Sequence, residues 1–126
     1  MKTSSLLAAA LLFTAVGAQA APSDVNAQAF FVDAKALEAK GMAALLDKRT
    51  KPMMAQMKDA GERSRAANRT ATAAGKPLYC VPEGTKRSMG AKQVIAMLGK
   101  VPDAERRSLT LFEAWKRALA REYPCR

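Results

Sequence analysis

Cys80 and Cys125 are the two cysteines of a chain that opens with an export-type leader, and that pairing limits the folds open to it. Met1–Ser5 carries one charged side chain, Lys2, and Leu6–Val16 is an apolar run broken only by Thr14. Gly17-Ala18-Gln19-Ala20 then places small residues at the two positions a signal peptidase reads. The run falls short of the roughly 20 apolar residues a spanning helix requires. We therefore expect a Sec signal peptide over 1–20, cleaved after Ala20, with an uncleaved N-terminal anchor as the alternative. No later stretch is apolar for long enough to suggest a transmembrane segment. The expected location is the periplasm, where thiols are oxidised and disulfides persist. A Cys80–Cys125 bridge follows, and closing a loop of that length contributes about 4 kcal/mol through the unfolded chain. Free or intermolecularly paired thiols are the competing reading.

Residues 21–126 read as a single helical domain. Between Asp24 and Lys48 there is no proline, and Phe30, Ala34, Leu37, Gly41 and Leu45 recur at helical spacing, with Ser23 or Asp24 able to cap. Gly41 weakens the middle of that helix and invites a bend. Thr50 can cap a second helix, with Pro52 in its first turn and a narrow stripe of Met53, Met57, Ala60, Ser64 and Ala67. Gly75-Lys76-Pro77 stops it, and a turn-rich loop carries Cys80. Thr85 or Ser88 opens a third helix through Ala91, Val94, Ile95 and Leu98, closed by Gly99. Asp103 can cap a fourth, in which Leu111, Phe112, Trp115, Leu119 and Tyr123 supply the largest apolar faces. No segment alternates with period two, so no sheet is expected. The expected fold is all-α: a small four-helix domain with one disulfide and room for a fifth, short turn around 103–107.

Composition excludes several chemistries. The chain has no histidine, which removes imidazole bases, Ser-His-Asp and Cys-His nucleophile systems and most zinc sites. Met53, Met54 and Met57 are candidate thioether ligands for Cu(I), but Lys51 and Lys58 flank them and place cations beside the proposed metal. Methionine at helical spacing also serves as adaptable core or as partner-facing surface. The acids are scattered and mostly sit three or four residues from Lys or Arg, the pattern of solvated helix-face pairs. No G-x-S-x-G elbow occurs. We expect no catalytic residue, no metal and no cofactor, and no enzymatic activity.

The global charge is the unusual property. Lys plus Arg number 21 against 11 Asp plus Glu, and residues 35–76 hold ten basic and four acidic residues. Such a face often does no more than keep a protein soluble; its functional reading is steering toward an acidic partner surface. Nucleic acid is not an expected client, because the aromatics that would stack bases are missing from this stretch.

Ala67-Asn68, followed by Gly75-Lys76-Pro77-Leu78-Tyr79-Cys80-Val81-Pro82, resembles the "AN…GxPLxCxP" passage of the Rap/Tai-type immunity proteins. The likeness continues through Gln93–Leu98, the break at Pro102, and a last helix ending Ala118-Leu119-Ala120-Arg121-Glu122-Tyr123-Pro124-Cys125. It covers about half of the chain beyond the leader. Further cysteines and a Gly-Tyr pair that the family's pattern places in the second helix are missing here, where Gly61-Glu62 stands instead. The resemblance implies a small exported helical protein that inhibits a type VI-secreted peptidoglycan amidase by occlusion, with no chemistry of its own. The family's binding residues do not transfer. From the residues themselves, Met53, Met54 and Met57, with Lys51, Lys58 and Arg63, are the candidate partner-binding set, and ordinary core is the rival role for the methionines. A homodimer is compatible with the sequence. The alternative functions are an envelope chaperone or stress-type helical protein and a basic protein that binds anionic membranes, the latter ranked lowest because the apolar stripes are narrow.

Overall fold

The computed structural model describes residues 19–85 and 88–126, so the expected leader lies almost wholly outside the described residues. Five α-helices follow in order: α1 (Ala27–Ala39), α2 (Thr50–Ala73), α3 (Ala91–Gly99), α4 (Asp103–Ser108) and α5 (Leu111–Glu122). Short 3₁₀ turns at Pro22–Asp24 and Gly41–Leu46 flank α1. There is no strand among the described residues; one isolated antiparallel bridge joins Asn26 to Thr110. Four helices are of substantial length, α4 is the short extra turn, and Cys80 is bonded to Cys125. The all-α, one-disulfide expectation therefore holds.

α5 is the central element. Leu111, Ala114, Trp115, Ala118 and Leu119 repeat at helical spacing and are all buried, packing against α2, α3 and α1. Phe30 and Ala27 of α1, Ala60 of α2, and Met97 and Leu98 of α3 complete the core with Tyr79 and Val101. A capping box starts α5: the Glu113 amide donates to Thr110 Oγ1 (3.2 Å) and the Thr110 amide to the Glu113 carboxylate (3.5 Å). This cap, absent from the sequence reading, divides the expected fourth helix into α4 and α5. The bridge at the split lets Leu111 N–H reach Val25 O (2.8 Å) and Ala27 N–H reach Leu109 O (3.0 Å), fixing the starts of α1 and α5 side by side.

Several boundaries differ from expectation. α1 starts after Asn26, whose side chain accepts from the Ala29 amide at 3.0 Å, not after Ser23 or Asp24. It ends at Ala39, because Gly41 takes φ +57° and the chain continues as a 3₁₀ turn. Three residues per turn in place of 3.6 carries Leu45 off the buried stripe. Thr50 is the first residue of α2 rather than its cap, and its hydroxyl donates to Ala44 O. α3 begins at Ala91, later than Thr85 or Ser88. Gly99 is the last helical residue and has no left-handed φ; its missing Cβ lets the Phe31 ring lie 3.6 Å from where that atom would stand.

The C-terminal motif residues have structural work. Asn68 Oδ1 accepts from the Leu78 amide (2.8 Å) and the Tyr79 amide (3.3 Å), while its NH₂ donates to Tyr79 O (3.0 Å). Cys80 N–H donates to Tyr123 O at 2.9 Å, alongside the disulfide. The loop after α2 is thus clamped to α2 on one side and to the end of α5 on the other.

Candidate functional site

The turn between α1 and α2 presents the most exposed large apolar side chains of the described residues. Leu46 is 91% exposed, Met42 82% and Leu45 70%. Apolar side chains at a loop tip are unfavourable in water, and here nothing among the described residues covers them. The turn is nevertheless clamped at both ends. Asp47 takes Lys40 Nζ at 2.6 Å and Arg49 Nη2 at 3.0 Å, and its other oxygen accepts from the Arg49 amide at 2.9 Å. Arg49 reaches on to Asp33 of α1 at 3.0 Å. The Arg49 guanidinium, followed by the Lys40 ammonium, holds the Asp47 carboxyl far below the usual carboxylate range.

Met54 extends the apolar tip onto α2. It is 68% exposed and stands one helical turn after Thr50, whose hydroxyl binds the carbonyl of Ala44 inside the turn. Lys51, Met54 and Lys58 fall at i, i+3 and i+7 on one outward stripe, and all three are exposed. Lys58 is near Glu62 at 3.9 Å; Lys48 and Lys51 have no carboxylate within ion-pair distance among the described residues. The tip is therefore apolar at its centre and cationic along one flank. Met53 and Met57, on the neighbouring flank of α2, are partly buried and pack on the core. Arg63 is committed within the fold, as described next. Of the six residues nominated from sequence, the structure groups Met54, Lys51 and Lys58 at one surface. Met42, Leu45 and Leu46 lie outside that set, because the helical stripe expected to continue through Gly41, even with a bend there, keeps Leu45 on the buried side. Gly41 followed by Met42, Leu45 and Leu46 was the signal present in the sequence.

A second cluster lies at the start of the described chain. Ser23 is fully buried; its amide and hydroxyl donate to Asp59 Oδ2 at 3.0 and 2.5 Å. Arg63 Nη1 donates to Ser23 Oγ (2.7 Å) and to Asp24 Oδ1 (2.9 Å), and lies 3.7 Å from Asp59. The guanidinium covers the Phe112 ring at 4.0 Å, and Lys116 Nζ sits 4.4 Å from the same ring. Arg63 holds the Asp24 carboxyl below its ordinary range by direct hydrogen bonding, and Ser23 does the same for Asp59.

Two shallow grooves complete the surface. One of about 370 Å³ is lined by Leu78, Leu109, Glu113, Lys116, Arg117 and Ala120. The other, about 330 Å³, runs between α1 and α2 beside the tip and includes Phe30, Asp33, Arg49, Pro52 and Met53. Neither gathers converging acids, and no group of three or more Cys, Asp or Glu side chains able to hold a metal occurs among the described residues. No described helix is long and apolar enough to cross a membrane. The arrangement is a fixed apolar knob with a positive flank on a crosslinked helical frame, a form suited to docking. No family model, no curated protein and no solved structure matches the chain.

Proposed function

We propose that this is an exported helical binding protein of the immunity type, which neutralises a secreted cell-wall amidase by inserting the Gly41–Leu46 turn into its substrate cleft. The observation that carries this reading is the exposure of Met42, Leu45 and Leu46 on a turn held at both ends by hydrogen-bonded ion pairs. A contiguous exposed apolar patch of about 300–600 Å² on a monomer is often functional. Stable recognition buries about 800 Å² per partner, so Met54 and the Lys51–Lys58 flank would supply the remainder. Peptidoglycan-binding clefts that accept this knob would carry acidic rims opposite Lys48, Lys51 and Lys58, and the same charges would speed encounter. The periplasmic location and cleavage after Ala20 belong to the proposal, as does the likeness to the Rap/Tai-type proteins.

The test titrates the purified protein against amidase activity from the producer's own secreted fraction, reading release of peptide from peptidoglycan. Activity should vanish near one equivalent. Leu46→Asp should leave the fold intact and abolish inhibition. Amidase activity undiminished at large molar excess would overturn the reading. The same apolar tip and lysine flank also suit an anionic membrane surface. Salt-sensitive sedimentation with phosphatidylglycerol vesicles, without amidase inhibition, would favour that second function.

A further inference from the structure

We propose that Asp24, backed by Asp59 and Arg63, forms a built receptor for the chain's own α-ammonium, created when the leader is removed at Ala21. The inference rests on the proposed cleavage after Ala20. In the described chain the Ala21 backbone N–H donates to Asp24 Oδ2 at 2.8 Å, while Asp24 Oδ1 takes Arg63 at 2.9 Å. The carboxylate is thus shared between the first residue of the expected exported chain and α2. Hydrolysis of the Ala20–Ala21 bond by an export peptidase consumes one water. Ala20 leaves as a carboxylate, and the Ala21 nitrogen takes up protons to become an ammonium. The atom that held a neutral N–H contact then carries a full positive charge at the same place.

The local charge count favours that exchange. Before cleavage the ion-pairing groups are two carboxylates, Asp24 and Asp59, against one guanidinium, Arg63. The two carboxylates repel one another, since the Asp24 charge pushes the Asp59 carboxyl upward against the stronger effects of Ser23 and Arg63. A fourth charged group, Lys116 of α5, faces the Phe112 ring and has no carboxylate within ion-pair distance among the described residues. One further cation at Asp24 Oδ2, the oxygen that already accepts from the Ala21 nitrogen, brings these ion-pairing groups to neutrality. The segment that delivers it is fixed independently, because Ser23 is fully buried and bound to Asp59 by both amide and hydroxyl. Among the described residues every member of the buried core lies between Ala27 and Leu119, so the chain from Ala21 retains all of them.

The function of such a receptor is to make the processed protein more stable than its precursor, and to register the cleavage position to a single bond. An ammonium stabilised by Asp24 has a raised pKa in the fold, so its contribution is complete below the unfolded value of about 7.7 and is lost as pH rises through the folded value.

The test compares the disulfide-bonded chain beginning at Ala21 with a free amine, the same chain with Nα-acetyl-Ala21, and the free-amine chain carrying Asp24→Asn. At pH 6 the free-amine chain should melt about 3 °C above the acetylated one, the gap should close toward pH 10, and Asp24→Asn should remove it. The α-amine should titrate about one unit above its unfolded value by NMR. Equal melting temperatures with an unshifted amine would overturn the receptor. Sequencing the N-terminus of the exported protein separates the two ideas: a start other than Ala21 refutes the cleavage reading and denies the receptor its ligand, whereas a start at Ala21 with no acetylation effect refutes the receptor alone.

Discussion

Arg106→Met separates a buried charge from the backbone it serves. Arg106 is buried in α4, and its Nη1 donates to Leu98 O at 3.1 Å, to Gly99 O at 3.5 Å and to Val101 O. Its Nε donates to Gln28 Oε1 at 2.7 Å, and the guanidinium stacks 4.0 Å from the Phe31 ring. The nearest carboxylate, Asp103, is 3.8 Å away and half exposed, so backbone carbonyls at the end of α3 are the main partners. Methionine keeps the stem's packing but leaves those carbonyls unpaired in the interior. Hydrogen bonds to a charged donor contribute about 1.5–3 kcal/mol each, and relief from desolvating the guanidinium offsets part of their loss. A net destabilisation of about 3 kcal/mol follows, or about 12 °C in melting temperature for a domain of this size. Arg106→Lys, which keeps the charge but cannot span the carbonyls, should lose about half as much. Thermal melts by circular dichroism measure both, and hydrogen exchange should show the end of α3 opening first. If Arg106→Met melts within about 3 °C of the parent, the guanidinium is not the cap of α3 and the reasoning fails.

Other perturbations test the remaining links. Leu46→Asp should change stability by less than about 0.5 kcal/mol, since the side chain is almost fully in solvent, while weakening partner binding at least about 30-fold, as for a central anchor; calorimetry against the captured amidase reads the second effect. Reduction, or Cys125→Ser, should remove about 4 kcal/mol and lower the melting temperature by more than about 10 °C; an unchanged melt under reductant would contradict the crosslink. Ser64 is fully buried and its hydroxyl has no hydrogen-bond partner, so Ser64→Ala should melt at the same temperature or slightly higher; a clear drop would reveal a partner. Asp24, Asp47 and Asp59 all have depressed carboxyl pKa values through Arg63, Arg49 and Ser23 respectively. Their contribution is present above the unfolded value of about 3.9 and is lost as pH falls through the folded values, so Asp59→Asn should flatten the acid limb of a stability–pH curve.

Periodicity and punctuation were enough to read four helices, because an amphipathic stripe and a proline or glycine stop are local properties. The cysteine pair was legible for a different reason: a chain with two cysteines has a single intramolecular pairing open to it. A short extra turn around 103–107 was legible in the sequence as α4, and Thr110 with Glu113 is the capping box that marks where α5 begins after it. The role of Gly99 was not legible, since its small size matters only because Phe31 of α1 arrives beside it. The same holds for Arg63 and Lys58. Both are basic residues on α2 at similar spacing from acids, yet one is enclosed by Ser23, Asp24 and Phe112 and the other stands in solvent.

The amino-acid order alone determined the helical class, the basic character of α2 and the pairing of Cys80 with Cys125, since each follows from spacing, charge or redox chemistry along the chain. Tertiary structure decided which apolar side chains remain outside. Met53 and Met57 turn inward because α2 packs on α5, whereas Met42, Leu45 and Leu46 stay in water because Gly41 ends α1 and no other described element comes back across the turn. Burial depends on what else is present in space, and a local pattern holds no record of it.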